Sequence, residues 1–185
     1  MISKTIIITI PHSKQGSNNT FTHNYDIRAL MFANFINNYI KENGFKTIFI
    51  PGNINREICD LNRKSSCYEN DYFKTLFNKS INEKDVILLL DIHSFPNESN
   101  PDLPLYILDY NPDFREFNNF SLDLYNFMNI KKINTGLFKG DVLNALIKTG
   151  YDKNIPSILL EVNESLNNND IKTIAYFVSQ WVNKM

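Results

Sequence analysis

This 185-residue chain has three histidines, and two of them follow apolar runs. His12 comes after TIIITI at 5–10, and His93 closes on VILLLDI at 86–92. A carboxylate, Glu161, interrupts a third such run, SILLEV at 157–162. Ligands in open α/β sheets collect at the carboxyl ends of the strands, so three buried strands would deliver these side chains to one rim. Two imidazoles with carboxylates in reach match catalytic zinc chemistry, where three protein groups hold the metal and one position stays open for water. The third ligand is left open between His23 and Asp26, which stand three apart at the start of a predicted helix and can share a face there. Asp91 shares the strand face of His93 two residues on. It reads as a buried acceptor or as a partner behind that ligand. A carboxylate inside an apolar run is costly unless paired or placed at a polar site, which marks Glu161 as the candidate general base. Its neighbour Glu164 reads as a loop or helix-start residue.

Arg56, Asn62 and Arg63 add a second function. A guanidinium fork can hold a substrate carboxylate bidentately, and an asparagine amide supplies a neutral donor. The plainer alternative is a loop stapled by ion pairs such as Arg56–Glu57 and Arg63–Asp60. Ser13 and Ser94 adjoin histidines, but no Gly-x-Ser-x-Gly elbow supports a serine nucleophile.

The positioning elements follow from periodicity. The short unbroken apolar runs read as strands covered on both faces, as in a parallel sheet core. Strand 4–10 exits at Pro11, a helix is predicted from about 24 to 42, and Gly44 closes it. A strand over 45–50 stops at ProGly, completing a β–α–β start. Further helices are predicted over 68–80, 113–129, around 141–148 and 169–183, with a short strand at 105–108. Gly136 and Gly140 read as turns. The expectation is one three-layer α/β domain over 1–185, with a mostly parallel or mixed central sheet and helices on both faces.

Composition narrows the classes. A net charge of -1 with no basic block argues against nucleic acid as a partner. The apolar stretch at 6–8 is far too short to span a membrane, and no secretory h-region precedes it. With two cysteines, Cys59 and Cys67, and no close zinc-knuckle pattern, a reducing, cytoplasmic setting is the default expectation.

ProHisSer at 11–13, AspLeuAsnArg at 60–63, AspIleHisSerPhe at 91–95 and LeuGluValAsn at 160–163 together carry a resemblance. In order and approximate spacing they resemble the N-formylglutamate amidohydrolase family. That family is similar in fold and chemistry to the zinc carboxypeptidases and to the aspartoacylase and succinylglutamate desuccinylase group. The resemblance implies one zinc held by His12, His93 and a carboxylate matched here to Asp26, since Gln15 occupies the Glu position of the carboxypeptidase His-x-x-Glu pair. It implies Glu161 as the catalytic glutamate and Arg56 as the residue that helps polarise the carbonyl. Asn62 and Arg63 would bind the substrate carboxylate, and Lys139 and Gly140 belong to a loop that lines the site. The implied activity is zinc-dependent cleavage of an amide in a carboxylate-bearing N-acyl amino acid or short peptide. The competing expectation is a noncatalytic, metal-free protein that binds a carboxylate ligand on the same fold.

Overall fold

The structure is a computed structural model, and the residues it describes are 4–14, 26–56, 58–63, 72–97, 102–112, 116–140 and 144–185. Six strands and five helices follow in the order β1 (Thr5–Ile10), α1 (Ala29–Glu42), β2 (Lys46–Pro51), α2 (Tyr72–Ser80), β3 (Val86–Phe95), β4 (Leu105–Asp109), α3 (Asn119–Ile130), β5 (Thr135–Lys139), α4 (Ala145–Asp152), β6 (Ser157–Asn163) and α5 (Asn168–Val182). The sheet order is β2-β1-β3-β6-β4-β5. β2, β1, β3 and β6 run parallel, while β4 lies antiparallel to β6 and parallel to β5. The sheet is therefore mixed, and its three inner parallel strands are the three apolar runs of the sequence.

Those runs are apolar because both faces are covered. Ile6, Ile8 and Ile10 pack with Leu88, Leu90 and Ile92 under α1, α3 and α5, the last contributing Ile174, Val178 and Trp181. Ile7 and Leu89 face the other way, against Phe73 and Phe77 of α2 and Leu146 of α4. Each such fully buried side chain contributes about 1.5–3 kcal/mol. Trp181 is the largest of them, 1% exposed, and its indole N–H donates to Asp123 Oδ2 at 2.8 Å. A Trp181→Ala variant should lose about 3–5 kcal/mol, read as a lowered midpoint in thermal unfolding.

The element ends show where local pattern yields to packing. α5 starts where Asn167 accepts from the N–H groups of Asn169 and Asp170. α1 ends with Gly44 at φ 86°, the left-handed position that glycine occupies freely. Its start differs from expectation, because residues 26–28 form a turn and the helix begins at Ala29. The expected turn at Gly136 is instead the second residue of β5. A Cβ there would lie 2.4 Å from Phe138 Cε2 and 2.8 Å from Tyr106 Cδ1, so this glycine makes room for two rings inside the sheet. α4 correspondingly begins later than expected, at Ala145.

Among the described residues, no helix is long and apolar enough to cross a membrane. Cys59 is buried and disulfide-bonded. Cys67 lies outside the described residues.

Candidate functional site

Register places the two strand-borne side chains side by side. His93 of β3 is the Cα partner of Glu161 on β6, and His12 stands two residues past the end of the neighbouring β1. Asp26 joins them from the turn before α1, where its N–H donates to His12 O at 3.2 Å. Asp26 Oδ2 lies 2.9 Å from His93 Nδ1 and 3.4 Å from His12 Nδ1. The two imidazole rings meet edge-on, with centroids 4.8 Å apart. One donor atom from each of the three buried residues falls within 4.8 Å of the others, a cluster that could chelate a metal ion.

The atoms behind the cluster set its tautomers. His12 Nε2 donates to Asp60 Oδ1 at 2.8 Å, and His93 Nε2 donates to Asp91 Oδ2 at 3.2 Å. Thr9 Oγ1 in turn donates to Asp91 Oδ1 at 2.7 Å. An ionised carboxylate only accepts, so the Nε2 atoms carry protons and the Nδ1 atoms face Asp26. Among the described residues, buried His12 Nδ1 makes only the long 3.4 Å contact with Asp26 Oδ2, which leaves it able to take a cation. Zinc–nitrogen bonds of about 2.0–2.1 Å set tetrahedral donors roughly 3.3 Å apart, close to the spacing of His12 Nδ1 and Asp26 Oδ2. The residues fit a metal.

Burial pushes the Asp26 carboxyl up, but hydrogen bonds and charge from His12 and His93 override it and hold the group well below the usual carboxylate range. For His93, burial opposes the charge while Asp91 and Asp26 favour it, and the net shift is upward. Asp60 is likewise held low, its desolvation outweighed by His12, Arg56 and the Asn62 N–H. Glu161 moves the other way. Burial, with Asp26 and Asp91 nearby, pushes it up against the pull of His93 and His12.

A cleft of ≈ 90 Å³ opens over the cluster, lined also by Arg56, Asn62, Arg63, Ser94, Asn144 and Glu161. Asp60 organises its polar wall. Its Oδ2 accepts from Arg56 Nε at 3.1 Å and lies 3.9 Å from Arg63 Nε, and its Oδ1 accepts from the Asn62 N–H at 3.0 Å. Arg63 Nη1 donates to Asn144 Oδ1 at 3.1 Å. Asn62 Nδ2 sits 3.2 Å from His93 Nε2, leaving Asn62 Oδ1 buried without a hydrogen-bond partner.

The structure thus gathers His12, Asp26, His93, Glu161, Arg56, Asn62 and Arg63 around one cleft. Lys139 and Gly140 are not among its lining residues. Lys139 Nζ is 3.7 Å from buried Asp109 and lies over the Phe117 ring, while the Gly140 N–H donates to Asp109 O. Asp26 precedes the helix, so the expected helical face shared with His23 does not exist at Asp26; His23 itself lies outside the described residues. Ser94 Oγ donates to Glu164 and Ser13 Oγ to Gly52 O, so neither hydroxyl is hydrogen-bonded to a histidine base. Asp60 and Asn144 were not anticipated. The signal for Asp60 was its place in AspLeuAsnArg, masked by the ordinary look of a loop ion pair. Asp60→Ala should weaken metal affinity roughly 10–100-fold, measured by competition with a chelator.

The chain matches no protein-family model and no curated protein sequence. Solved structures do share its fold. The gene product Atu2144 from Agrobacterium tumefaciens aligns over 97% of this chain and 88% of its own, with a TM-score of 0.69 and 14% identity. The CwlD amidase from Clostridioides difficile, solved in complex with the GerS lipoprotein, aligns over 98% of both chains with a TM-score of 0.66 and 18% identity. The catalytic domain of CwlV, an N-acetylmuramoyl-L-alanine amidase from Bacillus (Paenibacillus) polymyxa, covers 97% of this chain and 94% of its own at a TM-score of 0.58 and 14% identity. The chain shares the fold of these three structures. At these identities the likeness is one of architecture alone, a mixed α/β sheet with helices on both faces.

Proposed function

We propose that this chain is a zinc-dependent amide hydrolase acting on a carboxylate-bearing N-acyl amino acid or short peptide. The observation that carries the reading is the convergence of His12, Asp26 and His93 with Glu161 in a cleft walled by Arg56, Asn62 and Arg63. The two amidases that share the fold, and the motif resemblance to N-formylglutamate amidohydrolases, support the same bond type.

His12 Nδ1, Asp26 Oδ2 and His93 Nδ1 would hold the metal. When bound, it supplies Lewis acidity, which acidifies water and polarises a carbonyl. Glu161, its carboxyl pushed up by burial, takes the proton of the attacking water and returns it to the departing nitrogen. Arg56, fixed by Asp60, places positive charge where the carbonyl oxygen becomes negative. Arg63, fixed by Asn144, and Asn62 anchor the substrate carboxylate. Asp60 and Asp91 hold the two rings in the tautomer that points Nδ1 inward.

The test is elemental analysis of the chain purified without chelator, followed by amine release from a panel of N-acyl amino acids and short peptides. About one zinc per chain and metal-dependent amine release are expected. Carboxylate binding with no metal and no release would instead establish the noncatalytic binding protein.

A further inference from the structure

Asp26 lies in the turn before α1, outside any regular element, and 14 residues beyond His12, the ligand that directly follows a strand. It lies two residues before Arg28, the N-cap of α1, whose side chain makes no capping hydrogen bond to the helix. The N–H groups at a helix start need acceptors, and here they come from two other elements. The Ile27 N–H donates to Glu164 Oε1 at 3.3 Å, and the Arg28 N–H donates to Ser94 Oγ at 3.3 Å. Ser94 Oγ passes its own proton to the same Glu164 Oε1 at 2.8 Å. Arg28 Nε closes the ring by donating to Glu164 O at 3.3 Å, and Glu164 N–H donates to Phe95 O at 3.0 Å.

One carboxylate oxygen therefore joins the turn that carries Asp26 to the residue that follows His93. The negative charge also sits at the positive end of α1, where it is stabilised by the helix dipole. We infer that Glu164, acting through Ser94 and the 26–28 turn, is the positioning residue that fixes Asp26 against His93 for metal binding. The inference rests on the metal reading proposed above. Glu164 is not one of the residues that line the cleft. Its carboxylate acts through the Ile27 N–H and the Ser94 hydroxyl, while its carbonyl holds Arg28 Nε.

The prediction separates this role from a merely structural one. Glu164→Leu removes the acceptor, whereas Glu164→Gln retains an oxygen for Ile27 and Ser94. In titrations with cobalt(II) alone, Glu164→Leu should bind roughly 10–100-fold more weakly and give an altered visible spectrum, reporting a changed ligand set. Glu164→Gln should restore most of the affinity and the unaltered spectrum. Cobalt affinity and spectrum in Glu164→Leu equal to those of the unaltered chain would overturn the inference while leaving the metal site intact. Ser94→Ala, which removes a single hydroxyl, must show the same loss if the leucine variant does not fold, and normal affinity there overturns the inference equally. Failure of the unaltered chain to bind cobalt or zinc at all would bring down the metal reading itself, and the positioning role with it.

Discussion

A Glu161→Gln protein is expected to bind zinc as tightly as the unaltered chain and to cleave its amide substrate roughly a hundred- to ten-thousand-fold more slowly. The expectation follows from how the residue is placed. Glu161 sits on β6 directly beside His93 of β3, half-buried at the edge of the cleft, and is not one of the three clustered donors. Glutamine has the same shape and volume, so neither the packing against β3 nor the cluster of His12, Asp26 and His93 has reason to move. What glutamine cannot do is carry a proton. Burial is the main reason the Glu161 carboxyl is raised, and a raised carboxyl is the better proton carrier near neutral pH. Steady-state turnover and a chelator-competition titration on the same preparation check both halves. An undiminished rate would remove Glu161 from the chemistry.

The second large effect concerns His93. His93→Ala should reduce metal content from about one ion per chain to near none, because a three-donor site becomes a two-donor site. It should also destabilise the metal-free protein. Asp91 is fully buried, and the His93 ring is its charged partner beside the Thr9 hydroxyl. Stripping the partner from a buried charge costs about 3–5 kcal/mol. Elemental analysis must therefore be paired with thermal unfolding of both proteins without metal. In the unaltered chain, Asp91 and Asp26 hold a proton on His93 above its ordinary range. Because the folded value is raised, this proton stabilises the metal-free fold below the unfolded value near 6.5, and the contribution fades as pH climbs through the raised folded value. A metal taking Nδ1 must displace that proton. Metal affinity should accordingly rise with pH, with proton release on binding visible by calorimetry in buffers of differing ionisation enthalpy. A pH-independent affinity across this range would mean that His93 is neutral before the metal arrives.

What could be read from the sequence was whatever repeats over a few residues. β1, β3 and β6 were legible because burial on both faces demands unbroken apolar runs, and the chemistry residues stood at their ends. Gly136 misled because glycine usually marks a turn, whereas here it clears space for Tyr106 and Phe138 across two strands. The start of α1 was set too early because Ile27 continues the apolar rhythm of the helix. Residues 26–28 are a turn held in part by Ser94 and Glu164, far off in sequence. Asp60 was hidden for a similar reason. A carboxylate three and four residues from arginines looks like a local staple, and it is one. Its second oxygen reaches 48 residues back to His12, which no local pattern records.

The spacing of the three donors has a mechanical consequence. Asp26 and His93 are separated by 67 residues, and His12 precedes both on a third stretch of chain. A cation bridging them would act as a cross-link, closing loops that an unfolded chain must otherwise leave open at an entropic cost that grows slowly with length. Unfolding would then require metal release, and the thermal midpoint would climb with free metal concentration by about 2.7 kcal/mol of added stability at a hundred times the dissociation constant. The ion would fasten the turn before α1 to the central strand of the sheet.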